Sequence, residues 1–254
     1  ISNKGIIWGT TPDIDLTNSN VIPLGSGMGS FSTTISNLEE NTTYYVKAFA
    51  TNNNGTSYTY PHQITTPYTP IFNNTIGSDQ TICEGVVANM LMGSMPTGGD
   101  GENYTYLWIM STDSLQTWSE ASIGSDYTGQ NLDMRQLYDT TYFRRIVYST
   151  HVFDTSNVVA INVHATTKPG NVFVSSNTAA VGEAVELQLR ASLGDVLHWE
   201  YKKPDFNWLE LENSSNIKIL THYPDQMGEW QYRAVVQNGV CPAKTSGVGT
   251  VTVD

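Results

Sequence analysis

One strand is written three times in this chain. "NTTYYVKAFATNNNG" occupies 41–55, "DTTYFRRIVYST" occupies 139–150, and "GEWQYRAVVQNGVC" occupies 228–241. Each sets aromatic residues ahead of a basic one in an alternating run, the period-two signature of a half-buried strand. A strand that recurs at roughly the length of one small domain points to tandem copies of one architecture. Two proline-bearing stretches, "TTPYTP" at 65–70 and "TTKPG" at 166–170, each follow an apolar alternating run and suit domain boundaries. They divide the chain into 1–67, 68–167 and 168–254. Each piece has the size of a single β-sandwich.

The third piece shows the pattern most fully. Val185, Leu187 and Leu189 share a face, and runs follow at Val196–Tyr201, Trp208–Leu211 and Ile217–Leu220. Tyr232, Ala234 and Val236 share the next face, and Val248–Val253 closes a seven-strand sandwich count. The repeated stretch is then the sixth strand of each piece, central in its sheet. Its tyrosines, Tyr44, Tyr142 and Tyr232, are expected in the cores. Leu38 and Leu137 upstream of the first two suggest a tyrosine corner, in which the hydroxyl bonds backbone. In the second piece either register turns an arginine inward, Arg144 or Arg145, and the sequence leaves both open. Trp108 and Trp118 are ten residues apart, Trp199 and Trp208 nine. The first of each pair lies mid-strand, where such sandwiches bury a core tryptophan. The second is expected to pack on the next strand.

Composition narrows the function. Charged residues are 14% of the chain, below the usual quarter, and no sustained 3.6-residue apolar pattern is present. The net charge of −12 argues against a nucleic-acid partner. No apolar run is long enough to span a bilayer, so no membrane insertion is expected. The chain opens at "ISNKGIIWG" with no signal peptide, which reads as a processed protein or a piece of a longer one. Cys83 and Cys241 fall in different pieces, so two buried free thiols are expected rather than a disulfide.

Chemistry-bearing motifs are scarce. His62, His151, His164, His198 and His222 are scattered, with no metal-ligand spacing. No nucleophile elbow, P-loop or dinucleotide fingerprint occurs, and Gly98-Gly99 reads as a turn. "DID" at 13–15 and "DGEN" at 100–103 offer too few oxygens in fixed spacing for calcium and read as solvated turn acids. Trp118 and Trp208, with Tyr58, Tyr60 and Tyr68, are candidate rings for stacking on a glycan, against cross-strand packing as the alternative. Asn-x-Ser/Thr occurs at Asn41, Asn54, Asn73, Asn103 and Asn213. The basic doublets Arg144-Arg145 and Lys202-Lys203 read as balancing nearby acids.

Three stretches carry a family resemblance. "GIIWGTTPDI…GSGMGSFSTTISNLEENTTYYVKAFATNNNGTSY" resembles the fibronectin type III-like repeats of Bacteroidetes surface proteins. "SDQTICEG…GSMPTGGDGENYTYLWIMSTDSLQTW…TTYFRRIVYS…TSNVVAINV" resembles the immunoglobulin- or PKD-like repeats of type IX-secreted adhesins, including gliding-motility adhesins. "WQYRAVVQNGVCPAKTSGVGTVTV" is similar to a further immunoglobulin-like repeat. The resemblance implies an early cysteine paired with a late one inside each repeat. Here Cys83 keeps the early place and Cys241 the late one, so each repeat is expected to have lost half of a staple. It also implies two strands ahead of "GIIWG", so the first repeat is expected to be partial. For a bacterial host the Asn sites read as bare, and Ser114 in "DSL" and Thr140 in "DTT" become candidate O-glycosylation sites.

The combined expectation is an all-β chain of three tandem fibronectin III/immunoglobulin-like β-sandwiches. It would serve as a non-catalytic stalk or adhesion segment of a secreted cell-surface protein, extracellular and without a cofactor. Its partners would be a cell-surface or glycan ligand and neighbouring domains of a longer chain. Strands of this length give a rod on the order of 100 Å. The alternatives are a glycan-binding module and accessory domains of a secreted enzyme.

Overall fold

The computed structural model describes residues 1–101, 103–122 and 126–254, and every regular element among these described residues is a strand. The chain is all-β. It divides into two compact units: Ile1–Phe72 with Pro96–Tyr104 and Tyr148–Asp154, and Asn73–Met95 with Thr105–Val147 and Thr155–Asp254.

The first unit holds one five-stranded antiparallel sheet. Its strands are β1 (Asn3–Gly9), β2 (Asn20–Pro23), β3 (Thr43–Asn52), β4 (Gly55–Tyr58) and β5 (His62–Thr65), in the order β2-β1-β3-β4 with β5 also on β3. Alternation along β3 sends Tyr45 and Phe49 to one face, where Phe49 packs with Ile7 and Ile14. Tyr44 is buried on the other face, and its hydroxyl accepts a hydrogen bond from the Glu39 amide at 3.0 Å. That bond is the one a tyrosine corner makes. β6 (Ile71–Phe72) pairs with the short strand Thr97–Gly98, β8.

The second unit begins with β7 (Gln80–Cys83), β9 (Thr105–Ser111), β10 (Ser119–Glu120), β11 (Thr141–Ser149) up to Val147, and β13 (Val159–His164), while the end of β11 and β12 (Val152–Thr155) up to Asp154 belong to the first unit. These form a sheet in the order β10-β9-β11-β13-β7, with β12 on β11 and β7 parallel to β13. Facing it, isolated bridges Val87–Gln136 and Leu91–Leu132 hold an irregular second layer. Trp108, Phe143, Val159 and Ile161 from the sheet close on Ala88, Leu91, Leu132 and Leu137 from that layer.

The register of β11 corrects one expectation. Phe143, Arg145 and Val147 point inward, and Tyr142 is half-buried on the opposite face, outside the core. A period of two admits only one set inside, and the inner set here is the one that carries Arg145. The guanidinium is satisfied there by neutral oxygens: Nε and Nη2 donate to Asn74 Oδ1, Nη1 to Gln130 O and Nη2 to Ser94 O, at 2.8–3.1 Å. Gly93 makes the space, since a Cβ there would lie 1.9 Å from Arg145 Nη1.

The rest of the second unit is a two-sheet sandwich. β14 (Asn171–Val174), β16 (Val185–Arg190) and β19 (Ile219–His222) form one sheet. β15 (Thr178–Ala179), β17 (Asp195–Lys202), β18 (Leu209–Leu211), β20 (Gly228–Gln237), β21 (Lys244–Thr245) and β22 (Gly249–Val253) form the other. Val172, Leu187 and Leu189 meet Val196, Trp199, Trp230, Tyr232, Ala234 and Val251 between them. The buried indoles keep their N–H satisfied: Trp108 donates to Gly129 O and Trp199 to Ile217 O.

The thrice-written strand is β3, β11 and β20, and each is central in its sheet. Each has one neighbour on one side and two shorter ones sharing the other: β4 and β5, β12 and β13, β21 and β22. The repeat in sequence is therefore a repeat in topology.

Candidate functional site

The sequence separates Cys83 from Cys241 by 158 residues, yet the two sulfurs are bonded. This overturns the expectation of two free thiols. Neither cysteine is half of a lost staple; each is the other's partner. The reason is the geometry of strand ends. β7 runs parallel to β13 with Cys83 opposite His164, so Cys83 lies where the chain leaves its sheet toward Ala165–Thr167. The loop after β20 comes to the same place. Asn238 N donates to Thr167 Oγ1 at 3.1 Å, and its side chain donates to Ala165 O at 2.7 Å.

Around the disulfide the contacts are close and mostly to backbone. Glu84 N donates to His164 O, and Thr166 N to the Glu84 carboxylate. Lys168 and Leu193 exchange both backbone bonds, tying the connecting segment to the sandwich that follows. Gly239 has a positive φ of 53° and packs on the His164 ring, where a Cβ would come within 2.2 Å of Nδ1. Only glycine takes that turn without strain at that distance. Thr167 and both cysteines are buried.

The two candidate glycan tryptophans lie in matching places. Trp118 and Trp208 are half-buried, just ahead of β10 and β18. Each has an arginine from the central strand of its sheet over its ring: Arg144 at 4.7 Å from the Trp118 centroid and Arg233 at 4.1 Å from that of Trp208. Arg233 also pairs with Glu200. Among the described residues Arg144 Nε is buried without a hydrogen-bond partner. One ring face of each tryptophan is thus covered by a cation. Of the tyrosines, Tyr60 is fully exposed, the Tyr58 hydroxyl accepts a hydrogen bond from Leu16 N, and Tyr68 stacks on His151.

Ser114 and Thr140, far apart in sequence, line one polar cavity of about 380 Å³ with Thr112, Asp139 and Tyr142. Thr140 Oγ1 accepts from Val163 N. Asp113, beside Ser114, accepts from Thr117 Oγ1, Thr117 N and Ser111 Oγ, which hold its carboxyl down at about 2.

The acids weighed for calcium are engaged otherwise. Asp15 Oδ1 accepts from Thr17 N and Oγ1, and the Asp100 carboxylate accepts from Ser149 and Thr150 hydroxyls. Glu102 lies outside the described residues. No group of three or more His, Cys, Asp or Glu side chains is placed to hold a metal among the described residues. His222 is packed among Tyr201, Trp230 and Tyr232, with Nδ1 at 3.0 Å from the Tyr232 hydroxyl. Burial pushes its pKa down, with Asp225 opposing, and burial pushes the Tyr232 phenol up. No described helix is long and apolar enough to cross a membrane.

Residues 72–165 match the family described as Domain of unknown function (DUF8696). No curated protein matches the chain. Among solved structures, titin domains A168–A170 share 15% identity over 84% of this chain and 75% of theirs, at a TM-score of 0.47. Murine CEACAM1b shares 16% identity over 71% of this chain and 99% of its own, at 0.42. The chicken CNTN1 FN1–FN3 domains share 11% over 99% of this chain and 88% of theirs, at 0.32.

Proposed function

We propose that this chain is a non-catalytic, tension-resisting spacer segment of a secreted cell-surface protein, of the stalk or adhesion class. The observation that carries the reading is the Cys83–Cys241 bond. A pull applied across the chain enters at one cysteine and leaves at the other, so the residues between them bear no extension. The bond also fits an oxidising compartment, since such bridges persist outside the cytosol. The resemblance of the repeats to Bacteroidetes type IX-secreted adhesins supports a bacterial surface as the setting. Glycosylation at Ser114 and Thr140 belongs to the same proposal, and intact mass in excess of the bare polypeptide would support it.

Single-molecule stretching tests the spacer role. The 158-residue separation corresponds to about 550 Å of extended chain. Oxidised protein should unfold without releasing that length, and reduced protein should release it. Equal extension in both states would defeat the proposal.

A further inference from the structure

The first sheet ends in a cavity that no sequence motif marks. It has a volume of about 410 Å³, within the range of small-molecule sites. Trp8 and Tyr44 supply aromatic surface, their rings meeting edge to face at 5.5 Å. Hydroxyl and amide side chains of the 10–20 segment make most of the rest of the wall, with Gly9 and Ile14, and no ionisable Asp, Glu, Lys, Arg or His lines it. Such a wall selects a neutral ligand with many hydroxyls over a charged one. The net charge of −12 works in the same direction against anions.

The wall is built before any ligand arrives. Asp15 N donates to Asn18 Oδ1 at 2.8 Å, and Asn18 Nδ2 donates to Asp13 O at 3.0 Å. Ser19 Oγ donates to Asp15 O, and Asn20 Nδ2 to Trp8 O. Buried Ile14 pins the segment to Ile7 and Phe49, and Lys47 Nζ donates to Ile14 O at 3.0 Å. Among the described residues the hydroxyls of Thr10 and Thr11, the Trp8 indole N–H and Asn20 Oδ1 have no protein partner, and Thr10, Thr11 and Asn20 face solvent. An ordered frame whose outward donors and acceptors are free of protein partners, beside a half-buried indole, lowers the ordering cost of binding.

We infer that this cavity binds a neutral saccharide, with a pyranose ring against Trp8 and its hydroxyls bonded by Thr10, Thr11 and Asn20. The site is independent of the spacer role and of Trp118 and Trp208. The test is saturation-transfer NMR on the intact oxidised protein. The probes are methyl α-mannoside, methyl β-galactoside, N-acetylglucosamine and cellobiose, with sialic acid as the anionic arm. At least one neutral sugar should receive saturation at its ring C–H protons, and sialic acid none. Trp8→Ala should weaken that binding by about tenfold or more. Thr10→Val with Thr11→Val, which leaves Trp8 and the sheet intact, should weaken it several-fold at unchanged melting temperature. Trp208→Ala should bind as the parent does. No transfer to any neutral probe, or equal binding by Trp8→Ala, overturns the inference; either result leaves the stretching behaviour, and so the spacer reading, untouched.

Discussion

Arg145 donates from both Nε and Nη2 to a single oxygen, Asn74 Oδ1, at 3.1 and 3.0 Å. Arg145 is fully buried, and no salt bridge reaches it among the described residues. Its charge is held by an amide, two backbone carbonyls and the faces of Tyr106 and Trp108. Burial accordingly draws its pKa below the ordinary arginine value. Asn74→Ala removes the shared acceptor and leaves the cation under-bonded, at a cost of about 2–3 kcal/mol. Urea unfolding of the variant checks this, and an unchanged midpoint would mean that water replaces the amide.

Breaking the staple should lower stability by about 2–5 kcal/mol, given the long loop it closes. Cys83→Ser and Cys241→Ser should cost the same, and the double variant should cost no more than either, because all three remove one bond. Denaturant unfolding with and without reductant measures it. Thiol labelling of the native oxidised protein should find no reactive cysteine.

Gly239→Ala places a methyl against the His164 ring at a positive φ, so it strains both the turn and the contact. The expected loss is about 1 kcal/mol or more. His164→Ala should recover the steric share, leaving the backbone share. Additive losses in the double variant would show that the ring does not press on the glycine.

His222 gives the pH dependence a direction. Burial depresses its folded pKa below the unfolded value of 6.5, so the unfolded state binds the proton more readily. Its stabilising contribution is complete above pH 6.5 and is lost as pH falls from there toward the folded pKa. Melting temperature should therefore decline between about pH 7 and pH 5. His222→Gln, which does not titrate, should flatten that decline. An equal slope in both proteins would place the effect elsewhere.

What could be read without coordinates was whatever a local pattern dictates. Alternation alone put Leu187 and Leu189 inside, Trp108 and Trp199 mid-strand, and β3, β11 and β20 at the centres of their sheets, because strand periodicity and burial are written along the chain. The pattern could not choose between Arg144 and Arg145, since both phases of β11 offer an aromatic and an arginine. The choice depends on Asn74, Ser94, Gln130 and the gap at Gly93, none of them near β11 in sequence. Tyr142 was misplaced for the same reason. The pairing of Cys83 with Cys241, and the gathering of Trp8, Tyr44 and the 10–20 segment around one cavity, also lay beyond local pattern. Each is a meeting of strand ends and loops, and which ends meet is set by how whole sheets pack. The sequence determined that this protein is made of strands and where their inner faces lie; tertiary structure alone decided which distant residues share a bond, a charge or a cavity.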